Sequence, residues 1–396
     1  MRLAVVATHP VQYYGPLYAA LARRCDLTVL YAMVPDAAAQ GAAFGTAFEW
    51  DVDARAGHHS EVLDNVSARP DPSRMRGCDT PGVGARLSAG RFDAALVMGW
   101  YAKTHLQALW ACRRLGVPVL VRSDSQAAPA PHWRRAAKAL AYPALLRAFD
   151  GALHVGSRSR AYLRGYGYPE ARLFHAPHAV DTARFAAGAT PGAAAEVRRA
   201  AGIGPGGRIA LFAGKLAPAK RPLDAVGAAA RLRAAGVPLT VMVAGAGPLE
   251  GRMRARAAAL DVPLAMLGFV NQSRMPAVHA AADLLVLPSE RETWGLVVNE
   301  ALACGTPALV SRAAGCAPDL ATPHGPVRGH PPGDVPALAR AMGRMLDDPP
   351  APEAVRALSD RLTPGRAADA ILGAARAAAR ARAGAAGAPS RAPAAP

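Results

Sequence analysis

The run Ser289-Glu290-Arg291-Glu292-Thr293-Trp294-Gly295-Leu296-Val297-Val298-Asn299-Glu300-Ala301-Leu302-Ala303-Cys304-Gly305-Thr306-Pro307 decides the fold of this chain. It follows the apolar stretch Leu284 to Leu287, which reads as a short buried strand. It closes on Gly and Pro, the usual stop of a helix. That order places Glu292 in a loop at the carboxyl end of a strand and Glu300 in the first two turns of the next helix. In an open parallel sheet, ligands bind in that crevice. The first amides of the helix, near Gly295 and Leu296, have no partner within it and attract anions. Gly295 lets a phosphate approach the backbone. A carboxylate accepts well from paired sugar hydroxyls and is a poor direct partner for phosphate. The ligand that suits both features is a nucleotide sugar, with its diphosphate on the amides and its hydroxyls on Glu292 and Glu300. The plainer reading of the two Glu is a solvated loop carboxylate and an ordinary helix-face residue.

Working outward, short Val- and Leu-rich strands alternate with helices on both sides of this run. Toward the C-terminus the expected strands are Ile209–Ala213, Leu239–Ala244, Leu264–Leu267, Leu284–Leu287 and Ala308–Val310, with helices between them. In the first half they are Leu3–Ala7, Leu27–Tyr31, Phe92–Met98, Pro118–Arg122 and Asp150–Val155, with a helix over about Lys103–Leu115 capped by Gly116. Such alternation argues parallel, doubly wound sheets. The polar, Gly- and Pro-dotted stretch 37–90 carries no clear period. The Ala-, Gly- and Pro-rich stretch 186–207 marks a domain boundary. The expected organisation is a first Rossmann-like domain over 1–187 and a second over 188–365. An Ala/Arg helix follows over 366–383, and a disordered tail over 384–396.

The 396 residues suffice for two domains with filled cores. The formal net charge of +17 favours anionic partners: phosphate-bearing substrates, an anionic membrane surface or nucleic acid. No zinc-finger spacing and no RNA-binding aromatic signature is present, so no nucleic-acid partner is expected. The five cysteines are scattered, without CxxC or Cys/His ligand spacing, and read as reduced residues of a cytosolic protein. The N-terminus, Met1 to Ala7, reads as a first strand rather than a signal peptide. No apolar run approaches the roughly 20 residues of a membrane span.

The 289–307 run resembles the Glu-x7-Glu motif of the retaining family 4 (group 1) glycosyltransferases, which have the GT-B fold. Trp294-Gly295-Leu296 stands where that family usually has Phe-Gly-Leu. The resemblance continues in order through five features over residues 209–320. Gly214-Lys215-Leu216 with Lys220-Arg221-Pro222 resembles a Gly-Arg-Leu…Lys phosphate clamp. Gly245-Ala246-Gly247-Pro248-Leu249 matches a Gly-x-Gly-Pro-Leu loop. Gly268-Phe269-Val270 stands where the nucleobase stacks. Asp283 to Ser289 leads into the Glu loop, and Gly315 to Leu320 resembles Gly-Gly-x-Pro-Glu with Asp319 for Glu.

The resemblance implies a GT-B α/β fold: two Rossmann-like domains facing a cleft and a C-terminal helix crossing back to the first. It implies metal-independent transfer from a nucleotide-diphosphate sugar, without a cofactor, to a glycan or lipid-linked acceptor in cell-surface glycan or glycolipid assembly. Glu292, Lys220 and Lys215 would be catalytic. The donor would lie against Gly214, Gly247, Phe269, Val270, Trp294, Gly295, Leu296 and Glu300. Lys215 replaces the usual Arg, which keeps the charge but loses a bidentate fork.

The first half resembles the family less. Thr8-His9-Pro10-Val11-Gln12-Tyr13-Tyr14 resembles a subgroup with His-Pro-x-Gln-Tyr, so His9, Gln12 and Tyr13 are acceptor-side candidates. Asp124 in Arg122-Ser123-Asp124-Ser125 joins them, unless it only caps a helix. Ala176-Pro177-His178-Ala179-Val180-Asp181 resembles the linker Pro-Asn-Gly-Val-Asp. Trp133-Arg134-Arg135 to Lys138 could rest on the inner face of an anionic membrane, or simply be a solvated helix face. The competing readings are an inactive GT-B-fold scaffold that binds glycan or membrane, a sugar-nucleotide epimerase, and a dinucleotide-binding oxidoreductase. The last lacks a Gly-x-Gly-x-x-Gly turn after the first strand.

Overall fold

Strand β1 (Arg2–Ala7) shows how the first sheet is built. Successive side chains of a strand point to opposite faces. Leu3, Val5 and Ala7 enter one buried cluster, and Ala4 and Val6 enter another on the opposite face. A strand buried on both faces must be apolar throughout, as this one is, and it needs helices above and below. The computed structural model describes residues 1–41, 47–127, 129–204 and 206–387.

The first sheet has seven parallel strands: β1, β2 (Asp26–Tyr31), β3 (His59–Val62), β4 (Ala94–Val97), β5 (Val119–Ser123), β6 (Gly151–His154) and β7 (Leu173–His175), in the order β3-β2-β1-β4-β5-β6-β7. Val5 of β1 lies between Val29 and Leu96. The second sheet has six parallel strands: β8 (Arg208–Ala213), β9 (Leu239–Ala244), β10 (Leu264–Gly268), β11 (Leu284–Leu287), β12 (Ala308–Ser311) and β13 (Val327–His330), in the order β10-β9-β8-β11-β12-β13. Its central strand repeats the two-faced pattern, with Ile209, Leu211 and Ala213 in one cluster and Ala210 and Phe212 in the other. Both sheets reverse order beside their first strand, the switch point where such folds bind ligands.

Three strands escape the sequence reading: β3, β7 and β13. β3 (His-Ser-Glu-Val) is an edge strand paired only with β2, so it has no need of a buried apolar run. The helix over Lys103–Leu115 ends at Gly116, which takes the left-handed conformation expected of a helix stop.

The helix Pro364–Gly387 returns to the first sheet. Ala367, Ala368, Ile371, Leu372, Ala374, Ala375 and Ala378 pack into the cluster of Leu3, Val5 and Leu96. Arg24–Asp369 and Arg382–Asp150 pairs at 2.8 and 3.0 Å fasten it along its length. The alanines let the helix lie close to the helix Gly15–Ala22, while Ile371 and Leu372 supply the larger apolar contacts. The helix Thr182–Gly188 packs on helices of the second domain: its Phe185 is buried with Val278 of Met275–Ala281 and Val298 of Leu296–Ala303. All five cysteines are unpaired.

The carboxyl ends of the two sheets face each other. The loop after β5 touches the loop after β11, where the Gln126 amide donates to the Glu292 carbonyl at 2.7 Å. The segment after β6 meets the segment after β12, where the Ser157 amide and hydroxyl donate to Asp319 and Arg158 donates to the carbonyls of Arg312 and Ala313.

Candidate donor site at the domain interface

Lys220 and Glu292 meet at the head of β8 and β11. These strands are neighbours, so the segments leaving their carboxyl ends emerge side by side. The Lys220 ammonium forms an ion pair with Glu292 Oε2, and both side chains are mostly withdrawn from solvent. The backbone of the Glu loop is held from three directions. Its Glu290 amide donates to the Ala219 carbonyl at 2.9 Å, next to Lys220. The Glu292 carbonyl accepts from the Gly315 amide at 2.9 Å and from Gln126 of the first domain. The Cys316 amide donates to the Trp294 carbonyl at 3.0 Å. A carboxylate whose backbone is tied this way keeps its position without needing its own side chain to do so.

Lys215 lies half-buried beside the pair. Burial and the neighbouring Lys220 charge lower its pKa, and Glu292 offsets part of that. Three charged groups thus share one corner, two positive and one negative. An entering anion would meet both ammonium groups there.

Gly214 follows β8, and its amide donates to the Ala244 carbonyl. The loop Gly214-Lys215-Leu216 lies against the loop Gly245-Ala246-Gly247, joined by Leu216 N–H to Ala246 O at 2.9 Å. Gly247 has φ +150°, and a Cβ there would stand 2.8 Å from the Leu216 carbonyl oxygen. Only glycine fits that crossing without moving the backbone that carries Lys215. Gly295 has φ +103° and turns the chain into the helix Leu296–Ala303; a Cβ there would stand 2.7 Å from Leu287.

Glu300 is on that helix, and behind it stands His279 from the helix Met275–Ala281. His279 is wholly buried, and its Nε2 lies 3.4 Å from Glu300 Oε2. A carboxylate can only accept, so Nε2 is the donor. The second ring nitrogen, Nδ1, is buried without a partner. His279 was not singled out in the sequence, because nothing local to residue 279 announces a partner 21 positions away.

Trp294 is 3% exposed and belongs to the interdomain packing. Its indole N–H donates to Asn299 Oδ1 at 3.0 Å, and Asn299 donates to the His178 carbonyl at 2.9 Å. The Trp294 ring lies 5.8 Å from that of His178. Leu296 and Val270 pack on the edge of the second-domain core. Phe269 meets aromatic rings of the first domain, Phe48 at 4.1 Å and Trp50 at 6.2 Å between centroids. Asn271 and Ser273 bond the same segment through Glu49 and Asp51. The wall expected to stack a base is therefore built from both domains.

On the first-domain side, Tyr13 and Asp124 converge on His178. Tyr13 stands edge-on to the His178 ring at 6.2 Å, and Asp124 Oδ2 lies 3.9 Å from His178 Nε2. Burial would raise the Asp124 carboxyl, but hydrogen bonding and charge from His178, helped by Thr293, hold it below its ordinary value. Burial lowers His178 and pushes Tyr13 well up. Asp124 keeps part of its carboxylate open, with its side chain 41% exposed. Beneath them, Arg122 is buried, donating to the carbonyls of Ala176 and Pro177 and lying over the Tyr14 ring. His9 bonds to its neighbour Thr8, and burial lowers its pKa. Gln12 is half-buried in the same loop. Among the described residues no group of three or more His, Cys, Asp or Glu is arranged to hold a metal ion.

Residues 194–360, which contain β8–β13 and every donor-side residue above, match the family described as Glycosyl transferases group 1. This segment belongs to the group 1 glycosyl transferases. The whole chain has the GT-B fold. It superimposes on Anabaena Alr3699/HepE, solved with UDP and glucose, with a TM-score of 0.70 and 16% identity over 95% of this chain and 100% of that one. It superimposes on a glycosyltransferase from Rickettsia africae with a TM-score of 0.74 and 12% identity, over 95% and 98%. Among curated proteins it is 34% identical over 201 residues to D-inositol 3-phosphate glycosyltransferase 2 of Catenulispora acidiphila, 47% of this chain and 45% of that protein. The chain thus spans under half the length of that relative.

Proposed function

We propose that this protein is a retaining glycosyltransferase that moves a sugar from a nucleotide-diphosphate sugar to an acceptor hydroxyl. The observation that carries the reading is the Lys220–Glu292 pair with Lys215 beside it, at the head of β8 and β11 and facing the other domain. The two ammonium groups neutralise the diphosphate and the charge that grows on it as the glycosidic bond breaks. Because they carry that charge, no metal ion is assigned a role. Glu292 accepts from the donor sugar hydroxyls and Glu300, held by His279, from the ribose diol. The Gly295–Leu296 amides add hydrogen-bond donors for phosphate. Asp124 and Tyr13 stand across the cleft, where an acceptor would enter. Closure of the two domains excludes water from the leaving sugar.

The similarity to a structure holding UDP and to a D-inositol 3-phosphate glycosyltransferase supports a nucleotide-sugar donor. The acceptor is a glycan or a lipid-linked sugar of cell-surface assembly, reached at the cytoplasmic side of the membrane. Trp133 and Leu140, 67% and 85% exposed, lie two turns apart on one face of the cation-rich helix His132–Arg147. Such a face suits peripheral contact with an anionic bilayer. Among the described residues no helix is long and apolar enough to cross a membrane.

The test incubates the protein with a panel of nucleotide sugars and a membrane lipid extract. Products are read by mass spectrometry and their anomeric configuration by NMR. Transfer with retained configuration supports the reading, and an inverted product contradicts it. Calorimetry with nucleoside diphosphates separates the rival: binding to none of them would leave an inactive scaffold of the same fold.

A further inference from the structure

Between the helices His132–Arg147 and Ser157–Gly165 of the first domain lies a groove of about 940 Å3. His132, Arg134, Arg135 and Lys138 line it from one helix and Arg158 from the other, and among the described residues no Asp or Glu lines it. Arg158 spends its hydrogen bonds on carbonyl oxygens, not on a carboxylate. Elsewhere the molecule pairs its arginines, as in Arg86–Glu61 and Arg221–Asp224. Four cations, Arg134, Arg135, Lys138 and Arg158, gathered in one concavity repel one another, and an anionic occupant is what relieves that repulsion. The remaining surface is apolar or flat: Ala139, Ala161 and Tyr162. At one end stands Gln126, the residue whose amide holds the Glu292 carbonyl. The groove therefore runs up to the loop that carries the donor carboxylate.

We propose that this groove binds the anionic group of the sugar acceptor, a phosphate or carboxylate carried next to an apolar or ring-shaped part. The inference rests on the glycosyltransferase reading, and it names the chemistry of the acceptor. The cations hold the charged group while the acceptor hydroxyl reaches the cleft past Gln126.

The experiment is a calorimetric titration of the full chain with UDP and a panel of other nucleoside diphosphates. It is repeated with monomeric dihexanoylphosphatidylglycerol, dihexanoylphosphatidylcholine and glucose 6-phosphate. The expected result is at least tenfold tighter binding of the glycerol lipid than of the choline lipid. Arg134→Glu combined with Lys138→Glu should weaken it at least tenfold, with the melting temperature confirming that the variant is folded. Comparable binding of glucose 6-phosphate assigns recognition to the phosphate itself. Binding of the anionic lipid alone adds the apolar floor; either outcome supports the groove. Equal affinity for the two lipids, or binding of a nucleoside diphosphate without binding of any anion here, overturns it. So does binding to phosphatidylglycerol vesicles alone that Trp133→Ser with Leu140→Ser removes and the charge reversal leaves intact: the helix would then serve a bilayer. Failure of every nucleoside diphosphate strikes the glycosyltransferase reading instead.

Discussion

The ammonium of Lys220 is ion-paired with the carboxylate of Glu292 across two neighbouring parallel strands, 72 residues apart in the chain. Removing one partner leaves the other charge unmet in a site that is largely shielded. For fully buried pairs that costs about 3–5 kcal/mol, and the residual exposure here should reduce it to about 1–3. Lys220→Met and Glu292→Gln should each lower transfer by ~100-fold or more, the scale for losing one preorganised charge partner. The double variant should recover most of the stability and none of the activity. Urea denaturation alongside single-turnover transfer checks this; near-normal turnover in both single variants would remove these residues from the site.

Lys215 gives a pH signature. Burial and Lys220 lower its pKa below its ordinary value of 10.5, and Glu292 offsets part of that. A diphosphate placed beside it favours the charged form and raises the pKa again. Binding should therefore take up protons at alkaline pH, near the lowered value, and take up none from this group at neutral pH, where it is already charged. Affinity should fall as pH rises through that value. Titrations across the alkaline range in buffers of different ionisation enthalpy measure the uptake, and Lys215→Met should abolish it. An unchanged proton count in that variant would assign the uptake elsewhere.

His279 acts through Glu300. If Glu300 accepts from the ribose diol, His279→Phe should weaken the tightest-binding nucleoside diphosphate by about tenfold, the worth of one hydrogen bond to a charged group. The same substitution should leave the 2′,3′-dideoxy analogue nearly unaffected, because that ligand has no diol to lose. Equal weakening of both would make His279 a packing residue only.

His105 sets an acid limit. It is 1% exposed, neither ring nitrogen has a partner, and burial lowers its pKa to about 3. A histidine with a lowered folded-state pKa binds its proton more readily in the unfolded chain. Its effect is therefore absent well above pH 6.5 and grows as pH falls from 6.5 toward 3, destabilising the fold. His154, lowered to about 4, adds to the same slope. Urea midpoints should drop steadily between pH 6.5 and 4. His105→Leu should flatten part of that slope, by an amount on the order of 1–3 kcal/mol at pH 4. An unchanged slope would show that His105 does not control it.

The central strands and the loops that follow them over residues 209–320 were legible in the sequence because each is local. A strand buried on both faces must be a short apolar run, as in Leu284–Leu287, and a helix stop must carry glycine, as at Gly116 and Gly305. Those constraints act within a few residues, so they leave a pattern along the chain. They sufficed for two parallel sheets and for a Glu loop at the end of a strand. β3, β7 and β13 were not legible. An edge or late strand can be short or polar, since its hydrogen-bond partner supplies the rest. The pairing of Lys220 with Glu292, the support of Glu300 by His279, and the stacking of Phe48 on Phe269 arise only when strand order brings distant loops together. Trp294 shows the difference most plainly. Its place in the motif pointed to the ligand, whereas the tertiary structure buries its side chain between the domains, where its indole N–H bonds Asn299 and its ring meets His178. Residue type and backbone period are properties of the chain, so the candidates for the chemistry can be named from it alone. Which of them share a site follows from burial and proximity, and those depend on what packs against them.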